Sequence, residues 1–177
     1  MKCKNCKQPF EPIRFLQKYC LNDECVRVWV ESEKAKVWKV KKQKMKNDLE
    51  TIQELIKATQ IIFNKYIRLR DKGQNCISCQ KKLKEGNVDA GHMWSAGGHS
   101  NLRFNEFNVN AQCSRPCNKD KAGDINNYRL GFVERYGIEK LNEIDSLAKI
   151  ERKFSKEELK ELMQKYKLKC KELENKY

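Results

Sequence analysis

The feature that most constrains this chain is a pair of cysteine quartets. One is Cys3-x2-Cys6 with Cys20-x4-Cys25, the other Cys76-x2-Cys79 with Cys113-x3-Cys117. Two cysteine pairs on tight turns can bring four thiolates to one tetrahedral zinc. Four protein ligands leave no position for substrate, so each zinc is structural. In the central quartet 33 residues separate the pairs, so the metal clamps the start of a central module to its end. The N-terminal quartet occupies the first 25 residues. So short a piece cannot fold on its own apolar area, and metal binding supplies the folding free energy. Phe10, Pro12 and Phe15 are expected to form its small apolar centre. Cys170 has no cysteine nearby and reads as a packed small apolar residue.

The segment Met1-Lys2-Cys3-Lys4-Asn5-Cys6 lacks the apolar stretch of a secretory signal, and no run of about 18 apolar residues marks a membrane span. The expected location is the reducing cytoplasm, where cysteines serve as metal ligands more often than as disulfides. Lys and Arg number 38 against 24 Asp and Glu, a net charge of +14. Solvated surface is the bland reading of that excess, and nucleic acid is the favoured one. A membrane surface fits less well, because the lysines are spread along the chain. With 39% hydrophobic and 35% charged residues, one apolar core cannot run through the whole chain.

Four parts follow. Residues 1–25 form a zinc knuckle. Residues 26–72 contain no Gly, Pro or Cys and read as a long basic helix or helical linker. Within them Leu49, Ile52, Ile56, Thr59, Phe63 and Tyr66 make a seam of heptad spacing. Packing on the central module is the bland reading of that seam; a homodimeric coiled coil is the sharper one. Lys34, Lys36, Lys39, Lys41, Lys42, Lys44 and Lys46 lie on all sides of a solvated helix, with DNA contact as a use. Residues 73–137 form a zinc-bracketed core, and residues 138–177 a helical extension. Asp124 is positioned to cap a helix carrying Tyr128, Phe132 and Tyr136 that stops at Gly137. Ser155 and Glu158 read as a capping box for a terminal helix carrying Leu159, Leu162, Met163, Tyr166 and Leu173.

The polar residues between and after the central cysteines are unusually concentrated. Asp89-Ala90-Gly91-His92 comes first, then Gly97-Gly98-His99, Asn101 to Asn108, and Asn118-Lys119-Asp120. Both histidines of the chain lie here. The order His92, Asn108, Asn118 within cysteine brackets resembles the HNH, or ββα-metal, nucleases. More closely, the run from Arg68-Leu69-Arg70-Asp71 to Tyr128-Arg129 resembles the NinG/Rap family of lambdoid phage recombination proteins. The residues that carry it are Cys76-Ile77-Ser78-Cys79, Ala90-Gly91-His92, Leu102-Arg103-Phe104-Asn105-Glu106, Asn108-Val109, Gln112-Cys113 and Cys117-Asn118. The knuckle, the Lys-rich helix and the helical tail also fit, so the resemblance covers nearly the whole chain.

The resemblance implies a structure-selective endonuclease that hydrolyses phosphodiesters in branched recombination intermediates such as D-loops and Holliday junctions. It also implies recombination proteins as partners and a phage or prophage origin in a bacterial host. Neutral His92 suits the general base that takes a proton from water. A divalent cation, Mg2+ or Mn2+, would bind the scissile phosphate and the leaving 3′ oxygen. Asn118 is the ligand expected from a short helix over about 116–121, with Asp89 as the second. Asn108 would brace the loop and orient His92. Arg103 would bind the phosphate in the transition state, or else pair with Glu106 as structure. His99 reads as a loop residue rather than a ligand, and Glu106 and Asp120 as outer groups.

The sequence departs from the HNH pattern twice. Gly91 stands where an acidic ligand usually precedes the base, which leaves Asp89 three residues away. Three residues rather than two separate Cys113 from Cys117. The fold expected is helix-rich α+β: a small zinc-stabilised ββα core with strands over about 87–94 and 108–112, a knuckle, a long basic helix and a helical tail. Two other functions compete with the nuclease reading on branched DNA. One is a non-catalytic zinc-containing DNA-binding accessory protein, the other an HNH nuclease acting on ordinary duplex. RNA-binding signatures such as an aromatic sheet motif are absent.

Overall fold

The computed structural model describes residues 1–175, apart from the side chains of residues 46–48, so that of Lys46 lies outside the described part. The chain divides into two units, Met1–Glu50 and Thr51–Tyr177.

In the first unit a short bridge pairs Lys2 with Pro9 and closes the Cys3–Cys6 turn. Helix α1 (Asp23–Leu49) follows. Asn22 caps it, its side-chain oxygen accepting from the Glu24 N–H at 3.0 Å. Asp23 and Glu24 in the first turn complement the helix dipole. The expected apolar centre around Phe15 does not form: that ring is 95% exposed. The buried centre is sulfur, with Cys3 and Cys25 each 1% exposed. Too little chain is present to build a second layer over an aromatic side chain.

The helical stretch 26–72 is two helices, not one. α2 (Ile52–Arg70) starts afresh after a break at Glu50–Thr51. Thr51 forms a reciprocal capping box with Glu54, whose carboxylate accepts from the Thr51 N–H at 2.8 Å. The seam is divided with it. Leu49 ends α1 and is 78% exposed, whereas Thr59, Phe63 and Tyr66 are buried within the second unit. Their partner is α5 (Lys156–Glu174), which opens with the expected Ser155–Glu158 capping box. Phe63 and Tyr166 meet edge-on at 4.8 Å between centroids. Leu55, Ile67, Phe104, Val109 and Leu159 complete this core. The α2 part of the seam is therefore spent on intrachain packing.

Strands β1 (Val88–His92) and β2 (Val109–Cys113) form a two-stranded antiparallel sheet. Asp89 stands opposite Gln112, Gly91 opposite Asn110 and His92 opposite Val109. One face packs on α2 through Ala90. Helices α3 (Ile125–Tyr136) and α4 (Ile138–Leu147) build a second core around Ile77, Met93, Leu102, Tyr128, Phe132 and Ile144. Gly137 ends α3 as expected, with φ +86°. Asp124 stands at the helix start in a left-handed conformation without capping the backbone. It accepts instead from the Asn127 side chain at 2.8 Å.

No α-helix forms over 116–121. The chain makes a wide turn over Ser114–Asn118, with Lys119 N–H bonded to Ser114 O and Gly123 N–H to Asn118 O. Arg115 is extended (φ −129°, ψ 138°). Asn87 holds it so, accepting from the Arg115 N–H at 3.0 Å and donating to its carbonyl at 2.9 Å. This clamp removes Arg115 from helical geometry, and the wide turn absorbs the third residue between Cys113 and Cys117. The fold is thus a helix-rich α+β arrangement with a small sheet.

Candidate functional site

Each unit holds one cysteine cluster. The sulfurs of Cys3, Cys6, Cys20 and Cys25 all lie within 4.8 Å of one another, as do those of Cys76, Cys79, Cys113 and Cys117. Tetrahedral zinc with bonds of about 2.3 Å needs sulfurs about 3.8 Å apart. Cys6 and Cys20 are at 3.8 Å, and Cys79 and Cys113 at 3.5 Å. Backbone N–H groups steady both sites: Cys20 donates to the Cys3 sulfur and Cys113 to the Cys76 sulfur, each at 3.3 Å. Cys25, at the looser spacing, sits in the first turn of α1 within reach of the other three.

The thiol acidities fit cation sites. Burial opposes ionisation of Cys3, but backbone N–H donors outweigh it and bring the thiol down to about 6. In the central cluster burial and neighbouring sulfurs push Cys117 up to about 12. One thiolate is welcome in each cluster and the next is repelled, so four thiolates need a cation among them. Both donor sets can hold zinc.

The polar constellation of β1 lies beside the central cluster. Asn118 donates from Nδ2 to Asp89 Oδ2 at 2.9 Å, so the two predicted cation ligands meet. His92 ends the strand. Its Nε2 lies 3.1 Å from the Arg103 carbonyl. A carbonyl only accepts, so this contact is made by a protonated Nε2. Burial holds the imidazole below its ordinary pKa, against a smaller opposing pull from the Arg103 and Ala90 carbonyls. Asp89 and His92 are an odd number of residues apart, so the strand places them on opposite faces.

Asn108 is fully buried and braces the loop that returns from His92. Its oxygen accepts from the Trp94 N–H at 2.8 Å, and its Nδ2 donates to the carbonyls of Trp94 and Leu102. Arg103 does not pair with Glu106. Lys169 takes that carboxylate at 2.6 Å and the Tyr66 hydroxyl donates to it at 2.7 Å. The Arg103 guanidinium has no partner among the described residues, and its charge acts on His92. His99 is a loop residue, packed on Trp94 and bonded through Nδ1 to Ala148 O at 3.0 Å. Asp120 faces Arg115 at 3.5 Å.

The motif reading misses a buried network behind the sheet. Asp71 is 1% exposed; its carboxylate accepts from Arg70 and from the Ala111 N–H at 2.8 Å. Arg70 also donates to the carbonyls of Glu106 and Val109. Asn110 donates to the Tyr128 hydroxyl, which donates to Gly91 O. These bonds tie α2 and α3 to the two strands. The adjacent Arg70-Asp71 after a helical run was the available signal, but polar residues at a helix end look solvated in sequence.

Gly91 has its own reason to be glycine. A Cβ there would stand 2.3 Å from Gln112 Oε1. A side chain at position 91 therefore requires the buried Gln112 side chain to shift.

The family model described as Bacteriophage Lambda NinG protein matches residues 1–176. Protein ninG of Escherichia phage 933W is 34% identical, over 98% of this chain and 94% of the relative. Protein ninG of Salmonella phage P22 is 39% identical over 67% of this chain and 57% of its own length. That of Escherichia phage lambda is 38% identical over 68% and 57%. No solved structure matches. Among the described residues no helix is long and apolar enough to cross a membrane. The match along its length and the relatives' identity establish that the chain belongs to the NinG family.

Proposed function

We propose that the protein is a metal-dependent endonuclease of the HNH type that cuts branched DNA. The observation that carries the reading is the hydrogen bond that joins Asp89 to Asn118 beside β1, the strand that ends at His92. An in-line displacement at phosphorus needs a proton acceptor behind the attacking water and charge stabilisation at the departing oxygen, on opposite sides of the phosphate.

In this account Nδ1 of His92 takes the water's proton, while Arg103 O fixes the ring from Nε2. The lowered pKa keeps the imidazole neutral at pH 7. The unpartnered Arg103 guanidinium binds a phosphate oxygen. Asp89 and Asn118 offer a carboxylate and, after a half-turn of the amide, a carbonyl oxygen; these are the hard donors that Mg2+ or Mn2+ prefers. A cation held by these two residues would supply charge stabilisation at the phosphate and leaving oxygen. Asn108 keeps the loop, and hence Arg103 O, in place. The preference for branched over linear DNA rests on the family resemblance.

The test is a substrate panel of linear duplex, D-loop and four-way junction, each with Mg2+, Mn2+ or no divalent cation. Metal-dependent nicking concentrated on the branched substrates supports the proposal. Tight binding with no cut in either metal would move the protein to the accessory-module reading, and equal cutting of linear duplex to an ordinary HNH nuclease.

A further inference from the structure

The first unit leaves large apolar side chains in solvent. Phe15 is 95% exposed, Trp38 57% and Trp29 45%. Contiguous exposed apolar surface marks a contact site. Here the surface is shaped. A cleft of about 690 Å³ runs beneath the segment 13–21, with Phe15 and Trp29 in its walls. A second groove of about 430 Å³ follows α1 from Trp29 to Trp38 over Val30 and Val37. Trp29 and Glu33 line both.

Charge decides what covers this face. Lys4, Arg14, Lys18 and Lys36 line the cleft, and Lys34 and Lys41 the groove. The sole acidic residue lining either is Glu33, which Lys36 neutralises at 2.6 Å. Residues 1–50 carry 13 Lys and Arg against 7 Asp and Glu. A second copy would set two lysine-bearing helix faces against each other, whereas a phosphodiester backbone brings the opposite sign. Exposed rings between lysines suit bases whose faces are free. A duplex keeps those faces in its own stack; a single strand offers them. Trp29 and Trp38 are nine residues apart, about 13 Å along the helix axis, which is room for a few nucleotides.

We infer that the Phe15–Trp29–Trp38 face binds a single-stranded segment of nucleic acid, with bases stacked on the rings and phosphates held by Lys4, Arg14, Lys18 and the lysines of α1. The inference rests on the nucleic-acid part of the proposed function and on none of the chemistry at His92. It assigns the unpaired nucleotides of a branched substrate to the first unit.

The experiment is fluorescence anisotropy of a labelled oligothymidylate of about 20 nucleotides and of a blunt duplex of equal length. Full-length protein is used without added divalent cation. Phe15→Ala and Trp29→Ala should each weaken oligothymidylate binding at least about fivefold, the lower end for losing one stacked base. Trp29→Phe should recover most of that loss, and duplex affinity should shift less than about twofold. Zinc content unchanged from wild type shows that the knuckle is intact, and Phe15 is too exposed for its truncation to disturb folding.

Unchanged oligothymidylate affinity in both alanine variants would overturn the inference. So would equal weakening toward the duplex. So would a solution dimer that Val37→Glu dissociates, which would assign the face to a second copy. Failure here leaves the nuclease reading standing, because nothing is cut in this assay. A protein that never cuts but discriminates single strands through Phe15 and Trp29 would lose that reading and keep this surface.

Discussion

Asp89 Oδ2 accepts a hydrogen bond from Asn118 Nδ2 at 2.9 Å, although 29 positions separate the two residues. The contact depends on three local devices. The hairpin register puts Asp89 opposite Gln112. Asn87 clamps Arg115 in extended form. Cys117 turns inward to its sulfur cluster, one residue before Asn118. As the proposed cation ligands, Asp89→Ala and Asn118→Ala should each lower single-turnover cleavage about 100-fold or more. Both should raise the Mn2+ concentration needed for half-maximal rate. Neither side chain is fully buried, so stability should change by less than about 1 kcal/mol. Loss of cleavage with unchanged metal dependence would remove them as ligands.

Wild-type protein should carry two zincs. Cys25→Ser and Cys79→Ser should each carry one, measured by elemental analysis. The two variants should differ in stability. The Cys76–Cys79 turn is tied into the second unit, where Ile77 donates its N–H to Ala111 O. Cys79→Ser should therefore lower the melting temperature of that unit by many degrees, since structural zinc contributes folding free energy directly. Cys25→Ser belongs to the other unit and should leave the main transition nearly in place.

Asp71→Ala should cost about 3–5 kcal/mol by urea denaturation, the range for breaking a buried ion pair. It leaves the Arg70 charge without its carboxylate and the Ala111 N–H without an acceptor, both behind β2. A cost below about 1 kcal/mol would show that the network is dispensable.

The acid side of the rate profile follows from His92. Burial lowers its pKa from the ordinary 6.5. As the proposed base, the imidazole then stays neutral through mild acid, and the acidic limb of kcat/KM should lie below about pH 6.5. The sign for stability is the matching one. The unfolded chain takes up the proton first, so this residue's contribution to stability is full above about 6.5 and falls as pH drops toward the folded value. A cleavage limb centred above pH 7 would mean that another group limits the rate.

What the sequence reveals is mostly what depends on short spacing. Both sulfur clusters, the Ser155 capping box and the Gly137 stop follow from residue type and interval, and the two strands from the resemblance. The Thr51–Glu54 capping box was equally written there, but an unbroken helical composition from 26 to 72 concealed it. The helix expected at Asn118 fails because Arg115 answers to Asn87, a partner 28 residues away that no local pattern reveals. The Arg70–Asp71 network and the close approach of Gln112 to Gly91 are likewise properties of the assembled hairpin. Exposure of Phe15 was not legible either, since an aromatic between prolines and cysteines reads as core.

The proposed role of His92 is that of a base and not a strut. Its most direct test is single-turnover cleavage of a four-way junction by His92→Ala with Mg2+, beside a binding measurement on the same substrate. The expected result is a rate reduced at least about 100-fold, with junction affinity within about twofold of wild type. Cleavage at a wild-type rate would contradict it.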